Sequence, residues 1–310
     1  MLKIARTRTG WLPVHIWMWT GLIALLLVAG LLLRLRSNDH ASRLTVNTAA
    51  SSYNGDGGSL MIVGGGELPF RVQRQFVDMA GGAASHLVMI TGVHVDETYV
   101  DEYMQDWQSY GPASVTILNA SSRTEADSEE FSKPLDSATG VWLGGGQQTW
   151  LMSCYGGTRT EHKIRQLLER SGIVGGTSAG AAVMSEVMIT GGRKKPSIGT
   201  GFGFLPGVVI DQHFIKRNRF SRLRHVVEQH PKLVGIGIDE STALVVSLAS
   251  RKVRVVGDSY IVVCLPEKIG RQYRVDVDFY NPGDEFQLAP AGHPESMLAR
   301  SSMIDSSLEQ

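Results

Sequence analysis

Short apolar runs alternate with longer stretches of helical spacing through the middle of the chain. The apolar runs are LMIVGGG (60–66), HLVMITGV (86–93), ASVTILNA (113–120), GVWLGGG (140–146), GIVGG (172–176) and GVVIDQHF (207–214). Amphipathic stretches such as RVQRQFVDMAGG, DETYVDEYMQDWQSYG and TEHKIRQLLERSG lie between most of them. Buried β runs separated by amphipathic helices predict βαβ units, a mainly parallel sheet and an α/β fold. From about residue 234 the strands crowd together in LVGIGIDESTALVVS, RKVRVVGD and SYIVVCLP, which predicts an antiparallel extension at the sheet edge. Beyond about residue 270, Pro, Gly and Asp breaks leave the pattern without an assigned element.

The N-terminus follows another pattern. Residues 11–33, WLPVHIWMWTGLIALLLVAGLLL, contain no Asp, Glu, Lys or Arg. As a helix this segment would rise roughly 34 Å, enough to cross a hydrocarbon core of about 30 Å. Lys3, Arg6 and Arg8 precede it and Arg34 and Arg36 follow, so the flanking charges do not orient it. The run is longer than an ordinary signal-peptide core and no A-x-A site follows, which favours an uncleaved signal anchor. The expected organisation is an anchor (1–36), a polar Ser/Asn/Gly-rich tether (37–58), a catalytic domain (59–270) and a C-terminal extension of unassigned structure (271–310). The body of the protein is then expected outside the cytoplasm, in the periplasm or the extracellular space.

Composition narrows the function. Thirty Lys and Arg balance thirty Asp and Glu, so no global field argues for a nucleic-acid partner. Cys154 and Cys264 are far apart and belong to no CxxC or Cys/His ligand cluster. That spacing disfavours a metal site and leaves room for one disulfide at most.

The chemistry gathers at strand ends. In an open parallel sheet, ligands bind at the carboxyl ends of the strands, and here those ends carry Gly64–Gly66, Gly144–Gln147, Gly175–Ser178 and Asp211–His213. GTSAG (176–180) fits the G-x-S-x-G turn that lifts a serine from a strand toward a substrate; the plain alternative is that Ser178 caps the helix that follows. A serine hydroxyl needs a base, and the base needs an orienting acid. His15 lies in the apolar N-terminal segment, and His162, His225 and His230 lie at or near polar helices, whereas His213 ends an apolar strand. Glu240 and Asp239 both follow another strand, and alternation sends them to opposite faces without saying which one meets the imidazole. The order Ser178, His213, Glu240 differs from the Ser–acid–His order of α/β-hydrolases. The N–H groups of Ala179 and of Gly145, in GGGQ (144–147), are candidate oxyanion donors. GGGE (64–67) lacks a phosphate-loop spacing and suits close backbone approach. Lys216, Arg217, Arg219, Arg222 and Arg224 crowd a helix start, where the macrodipole disfavours cations. One or two of them are candidates for contact with substrate carboxylates.

Three blocks in order, GGTSAGAAVMSEVMI (175–189), GFGFLPGVVIDQHFIKRNRFSRL (201–223) and VGIGIDESTALVV (234–246), resemble the cyanophycinase family of serine peptidases, which also includes dipeptidase E. LMIVGGGELP (60–69) and ATGVWLGGGQQ (138–148) agree, and the resemblance spans roughly residues 58–265. It implies a flavodoxin-like fold similar to class I glutamine amidotransferases, with Ser178 as nucleophile, His213 as base and Glu240 as its orienting acid. Glutamine amidotransfer itself is disfavoured, because that chemistry uses cysteine at the nucleophile position. The resemblance also implies that Gln147, Asp211 and Gln212 line the substrate cleft with Arg217, Arg219 and Arg222, and that no cofactor is needed. The implied substrate is cyanophycin, a polyaspartate bearing arginine on each β-carboxyl, released as β-Asp-Arg. Two alternatives stand beside it: a peptidase of short aspartyl or isoaspartyl peptides, and a membrane-anchored binding protein without turnover. A homodimer is compatible with the sequence.

Overall fold

A computed structural model of the protein describes residues 57–296. The apolar segment at 11–33 and the tether as far as residue 56 lie outside the described residues. Among the described residues no helix is long and apolar enough to cross a membrane.

Strands β1 (Ser59–Val63), β2 (His86–Gly92), β3 (Ser114–Leu118), β4 (Gly140–Gly146) and β5 (Ile173–Thr177) form a parallel core in the order β1-β5-β4-β2-β3. Helical segments supply the crossovers, beginning with Phe70–Met79 and Glu97–Gln108. The second of these starts at Asp96, whose carboxylate accepts from the Tyr99 N–H at 2.9 Å and satisfies an otherwise orphaned donor. Leu60, Met61, Ile62 and Val63 of β1 are all fully buried, so both faces of the sheet are covered. On one face Met61 and Val63 join Val72, Phe76, Trp107 and Trp142 in a single core cluster. The Phe76 and Trp142 rings meet edge-on at 5.0 Å. Burying aromatic side chains of this size stabilises the fold by several kcal/mol in all, at roughly 25 cal/mol per Å² of apolar surface.

The strands β6 (Val187–Gly191) and β7 (Ser197–Thr200) form a small antiparallel ribbon after the G-x-S-x-G turn, or elbow, at Ser178. Then the expected pattern divides. β8 (Val208–Asp211) and β9 (Val234–Ile238) pair in parallel, away from the main sheet. β10 (Thr242–Ser247) and β11 (Lys252–Gly257) return to the main sheet and extend it antiparallel beyond β1, as predicted. β12 (Ile261–Ile269) leaves again and pairs with β9, so a second sheet forms where a continuous edge extension was expected. The switch between β9 and β10 is made at Ser241, which has a left-handed φ of 54° and donates its N–H to the Gly65 carbonyl at 2.9 Å. Leu223, Val226 and Val227 of the helix Phe220–Gln229 seal this second sheet against Val209 and Cys264.

Among the described residues, the tail that carried no expected element forms two further strands. β13 (Gln272–Tyr280) pairs with β12 from Ile261↔Tyr280 to Ile269↔Gln272, and β14 (Glu285–Gln287) pairs with β11 at the main-sheet edge. The boundary expected at residue 270 therefore falls in a hairpin turn, and sheet structure continues across it. Cys154 and Cys264 are buried free thiols, without a bridge. Burial raises the pKa of both, that of Cys264 to about 12, so neither is a ready nucleophile.

Candidate active site

β5 ends at Thr177, and the chain turns directly into the short helix Ala179–Ala182. Ser178 makes this turn at φ 53° and ψ −107°, a backbone state that costs a non-glycine residue roughly 1–3 kcal/mol. The turn closes tightly: a Cβ at Gly180 would stand 2.1 Å from the Leu143 carbonyl oxygen, so only glycine fits. Ser178 occupies the N-cap position but makes no side-chain cap hydrogen bond. Its hydroxyl instead lies 2.8 Å from His213 Nε2.

His213 follows β8 and has φ 46°. Its N–H donates to the Gly64 carbonyl at 2.6 Å, which ties the end of the second sheet to the end of β1. His213 Nδ1 lies 2.7 Å from Glu240 Oε1, just beyond β9. A carboxylate only accepts, so Nδ1 carries the proton and Nε2 is free to accept from the Ser178 hydroxyl. The sequence left Asp239 and Glu240 as alternatives, and the strand alternation separates them. Asp239 Oδ1 accepts from the N–H groups of Ile215 and Lys216, both at 3.0 Å, and pins the loop that follows His213.

Burial disfavours the imidazolium and lowers the His213 pKa; Glu240 opposes this, while Arg217 and Arg219 add to it. The ring is thus kept neutral and able to accept a proton. Its seat is the GGGE loop. A Cβ at Gly65 would stand 2.4 Å from His213 Cε1, and one at Gly66 would stand 2.8 Å from Glu240 Cβ. The close approach read from this glycine run is to the histidine and the glutamate, an assignment the sequence did not make. Three glycines at a strand end were its signal.

Gly145 is exposed beside the elbow, where a Cβ would lie 3.8 Å from Ser178 Cβ. Ala179 is buried at the first helical position, where its N–H has no partner within the helix. Gln147 is exposed, and its backbone N–H donates to the Gly92 carbonyl at 3.1 Å.

The remaining predicted cleft residues divide into two groups. Asp211 is fully buried and Arg222 is 6% exposed. Arg222 Nε donates to Asp211 Oδ2 at 2.6 Å, Nη2 donates to Oδ1, and Nη1 donates to the Gly192 carbonyl at 3.0 Å. Burial raises the Asp211 pKa, against the pull of Arg222 and Arg219. Expected to line the cleft, Asp211 instead braces it from inside, while Arg222, paired to that carboxylate, still forms part of the cleft wall. Gln212 is also buried, and its Oε1 accepts from Arg219 Nη1 at 3.0 Å. Burial lowers the Arg219 pKa to about 10, with Asp211 opposing. Arg217 is exposed. With Arg193, Lys216, Arg219 and Arg222 it lines a cationic cleft of about 450 Å³ formed by the loop that follows His213. Arg193 was not read from the sequence, because it reaches this cleft from the β6–β7 turn.

Residues 60–253 match the model of peptidase family S51. The chain is 31% identical over 249 residues to a cyanophycinase of Synechococcus elongatus, covering 76% of this chain and 77% of the relative. It is 33% identical over 199 residues to a cyanophycinase of a Nostoc species, covering 60% of this chain and 67% of the relative. In fold it is similar to a solved peptidase from an acI-B1 Actinobacterium, at a TM-score of 0.59 and 23% identity over 75% of this chain and 98% of that one. With a hydroxyl, an imidazole and a carboxylate in sequence at the strand ends, the chain belongs to peptidase family S51 and is a serine-type peptidase.

Proposed function

We propose that the protein hydrolyses cyanophycin, the arginine-bearing aspartate polymer, to β-Asp-Arg through an acyl-enzyme on Ser178. The observation that carries this reading is the relay from Ser178 to His213 to Glu240, at 2.8 and 2.7 Å, beside a cleft lined by arginines. Ser178 Oγ attacks the carbonyl carbon while its proton passes to His213 Nε2, and Glu240 stabilises the imidazolium through Nδ1–H. The developing oxyanion is met by the N–H groups of Ala179 and Gly145. Collapse breaks the C–N bond, and the departing amine takes the proton from Nε2. Water, deprotonated by the same imidazole, then releases the acyl group and restores the serine.

Arg217 and Arg219 suit the free α-carboxylates of the polymer's arginine residues, and Gln147 stands just beyond the end of β4. The relatives named cyanophycinase support this substrate. The uncharged run at 11–33 supports a membrane anchor that holds the catalytic domain outside the cytoplasm.

The test is incubation of the full-length chain with purified cyanophycin, with Ser178→Ala as control, and detection of β-Asp-Arg by mass spectrometry. Release by the parent and none by Ser178→Ala is expected. No release from a parent that still hydrolyses short isoaspartyl peptides would overturn the polymer reading.

A further inference from the structure

A second cleft adjoins the elbow and differs in character from the cationic one. It has a volume of about 630 Å³, and Gly145 and Thr177, the neighbours of Ser178, form part of its wall. Aromatic rings supply much of the rest: Phe70, Tyr99, Tyr103 and Tyr110. Tyr99 and Tyr103 stack at 5.7 Å with 21° between their planes, and Phe70 and Tyr110 lie 5.3 Å apart. Phe70 is 70% exposed and Tyr99 48%, a costly arrangement for rings with nothing to meet.

Two carboxylates stand among these rings, those of Glu67 and Asp106, and the lining includes no cation. The adjacent arginines are engaged elsewhere. Arg71 pairs with Asp258, while Arg74 pairs with Asp78 at 3.1 Å and donates to the Tyr110 carbonyl. Asp106 is held in place: Tyr110 donates its hydroxyl to Gln73 Oε1 at 2.8 Å, and Gln73 Nε2 donates to Asp106 Oδ2 at 2.9 Å. Gln73 is 5% exposed, so this support is rigid. Thr177 Oγ1 is buried in the same wall without a hydrogen-bond partner among the described residues.

Electron-rich ring faces beside two carboxylates, one of them held in place, form a receptor for a delocalised cation. We infer that this cleft is a guanidinium subsite, which takes an arginine side chain of the peptide whose carbonyl reaches Ser178. The inference rests on the peptidase reading, and it assigns the substrate's positive and negative groups to different walls. The cationic cleft formed by the loop after His213 takes carboxylates, and the aromatic cleft beside Gly145 takes the guanidinium. A polymer that carries both charges on every unit would be gripped in one register, whereas a plain polyaspartate would leave the aromatic cleft empty.

The test uses the full-length Ser178→Ala chain and calorimetric titration with β-Asp-Arg or with β-Asp-citrulline, a neutral ligand of nearly the same shape. The arginine dipeptide is expected to bind about ten- to hundredfold more tightly, the range of one or two charge-assisted hydrogen bonds. Adding Glu67→Gln and Asp106→Asn should remove that preference and leave citrulline binding within about twofold. Both carboxylates are exposed, and Tyr99→Leu, which keeps the charges and removes one ring, should reduce the preference in part. Equal affinity for the two ligands, no binding of either, or equal weakening of both by the acidic variants would overturn the subsite.

Fluorophosphonate labelling of the parent separates the two claims. Arginine preference without labelling would keep the subsite and sink the peptidase reading. Labelling without preference would do the reverse.

Discussion

Gly65→Ala is the sharpest perturbation of the site that leaves every reacting group in the chain. The added methyl would stand 2.4 Å from His213 Cε1 and 2.5 Å from Nε2, where ordinary contact is 3.4–4 Å. The imidazole must withdraw by about 1 Å or the loop must lift by as much, and either breaks the 2.8 Å approach of Nε2 to the Ser178 hydroxyl. A misplacement of that size costs about a hundredfold in rate, or roughly 2.7 kcal/mol of transition-state stabilisation. Gly65 also has φ +103°, so alanine adds backbone strain of roughly 1–3 kcal/mol, which lowers Tm by about 2–12 °C. Gly270→Ala provides the control: its φ is +62°, and nothing lies within 4 Å of the added Cβ. The assay is kcat/KM on a soluble arginine-bearing isoaspartyl peptide, with Tm from calorimetry for both variants. The expected result is a loss of Tm in both, larger in Gly65→Ala because the clash adds to the backbone strain, with a hundredfold loss of rate in Gly65→Ala alone. A Gly65→Ala enzyme within threefold of the parent would refute the claim that this glycine seats the base.

Further expectations follow from the same geometry. The acidic limb of kcat/KM should fall below the ordinary histidine pKa of about 6.5, because burial depresses His213 and activity is lost only as pH drops through that lowered value. Arg217→Gln removes one depressing charge, so a pH–rate profile should show that limb moving upward; a downward move would contradict the assignment. Glu240→Gln should reduce kcat by up to about 10⁴ with little change in Tm, as loss of the orienting acid does in other triads, whereas Asp239→Asn should act mainly through the 215–216 loop and cost far less. Arg222→Met leaves the Asp211 carboxylate buried with Arg219 as its remaining partner, and should destabilise by about 3–5 kcal/mol in thermal unfolding. Adding Asp211→Asn should recover part of that loss.

Local sequence carried the parallel core, Ser178 and His213, because strand ends and a glycine-flanked serine are local signals, whereas Glu240 was singled out only by the family resemblance. What it could not carry was pairing at a distance. β9 and β10 are separated by three residues yet lie in different sheets, and the left-handed turn at Ser241 that divides them gives no apolar pattern to read. The choice between Asp239 and Glu240 had the same origin: alternation put them on opposite faces, but only the loop after His213 says which face holds the imidazole. Asp211 was drawn to the substrate by residue type, whereas Arg222 does reach the cleft wall while pairing with that carboxylate. Eleven positions apart, they close on each other once the helix Phe220–Gln229 folds over β8. The aromatic cleft was hidden for a related reason, since its rings come from two helices and a loop whose patterns look like ordinary amphipathic elements.

The central claim is that His213, held by Glu240, makes Ser178 a reactive nucleophile. Its most direct test is exposure of the full-length chain to a fluorophosphonate, with the adduct located by peptide mass spectrometry. The account predicts one adduct, on Ser178, formed in the parent and at least a hundredfold more slowly in His213→Ala. An adduct on another serine, or equal labelling of Ser178 with and without the imidazole, would contradict it.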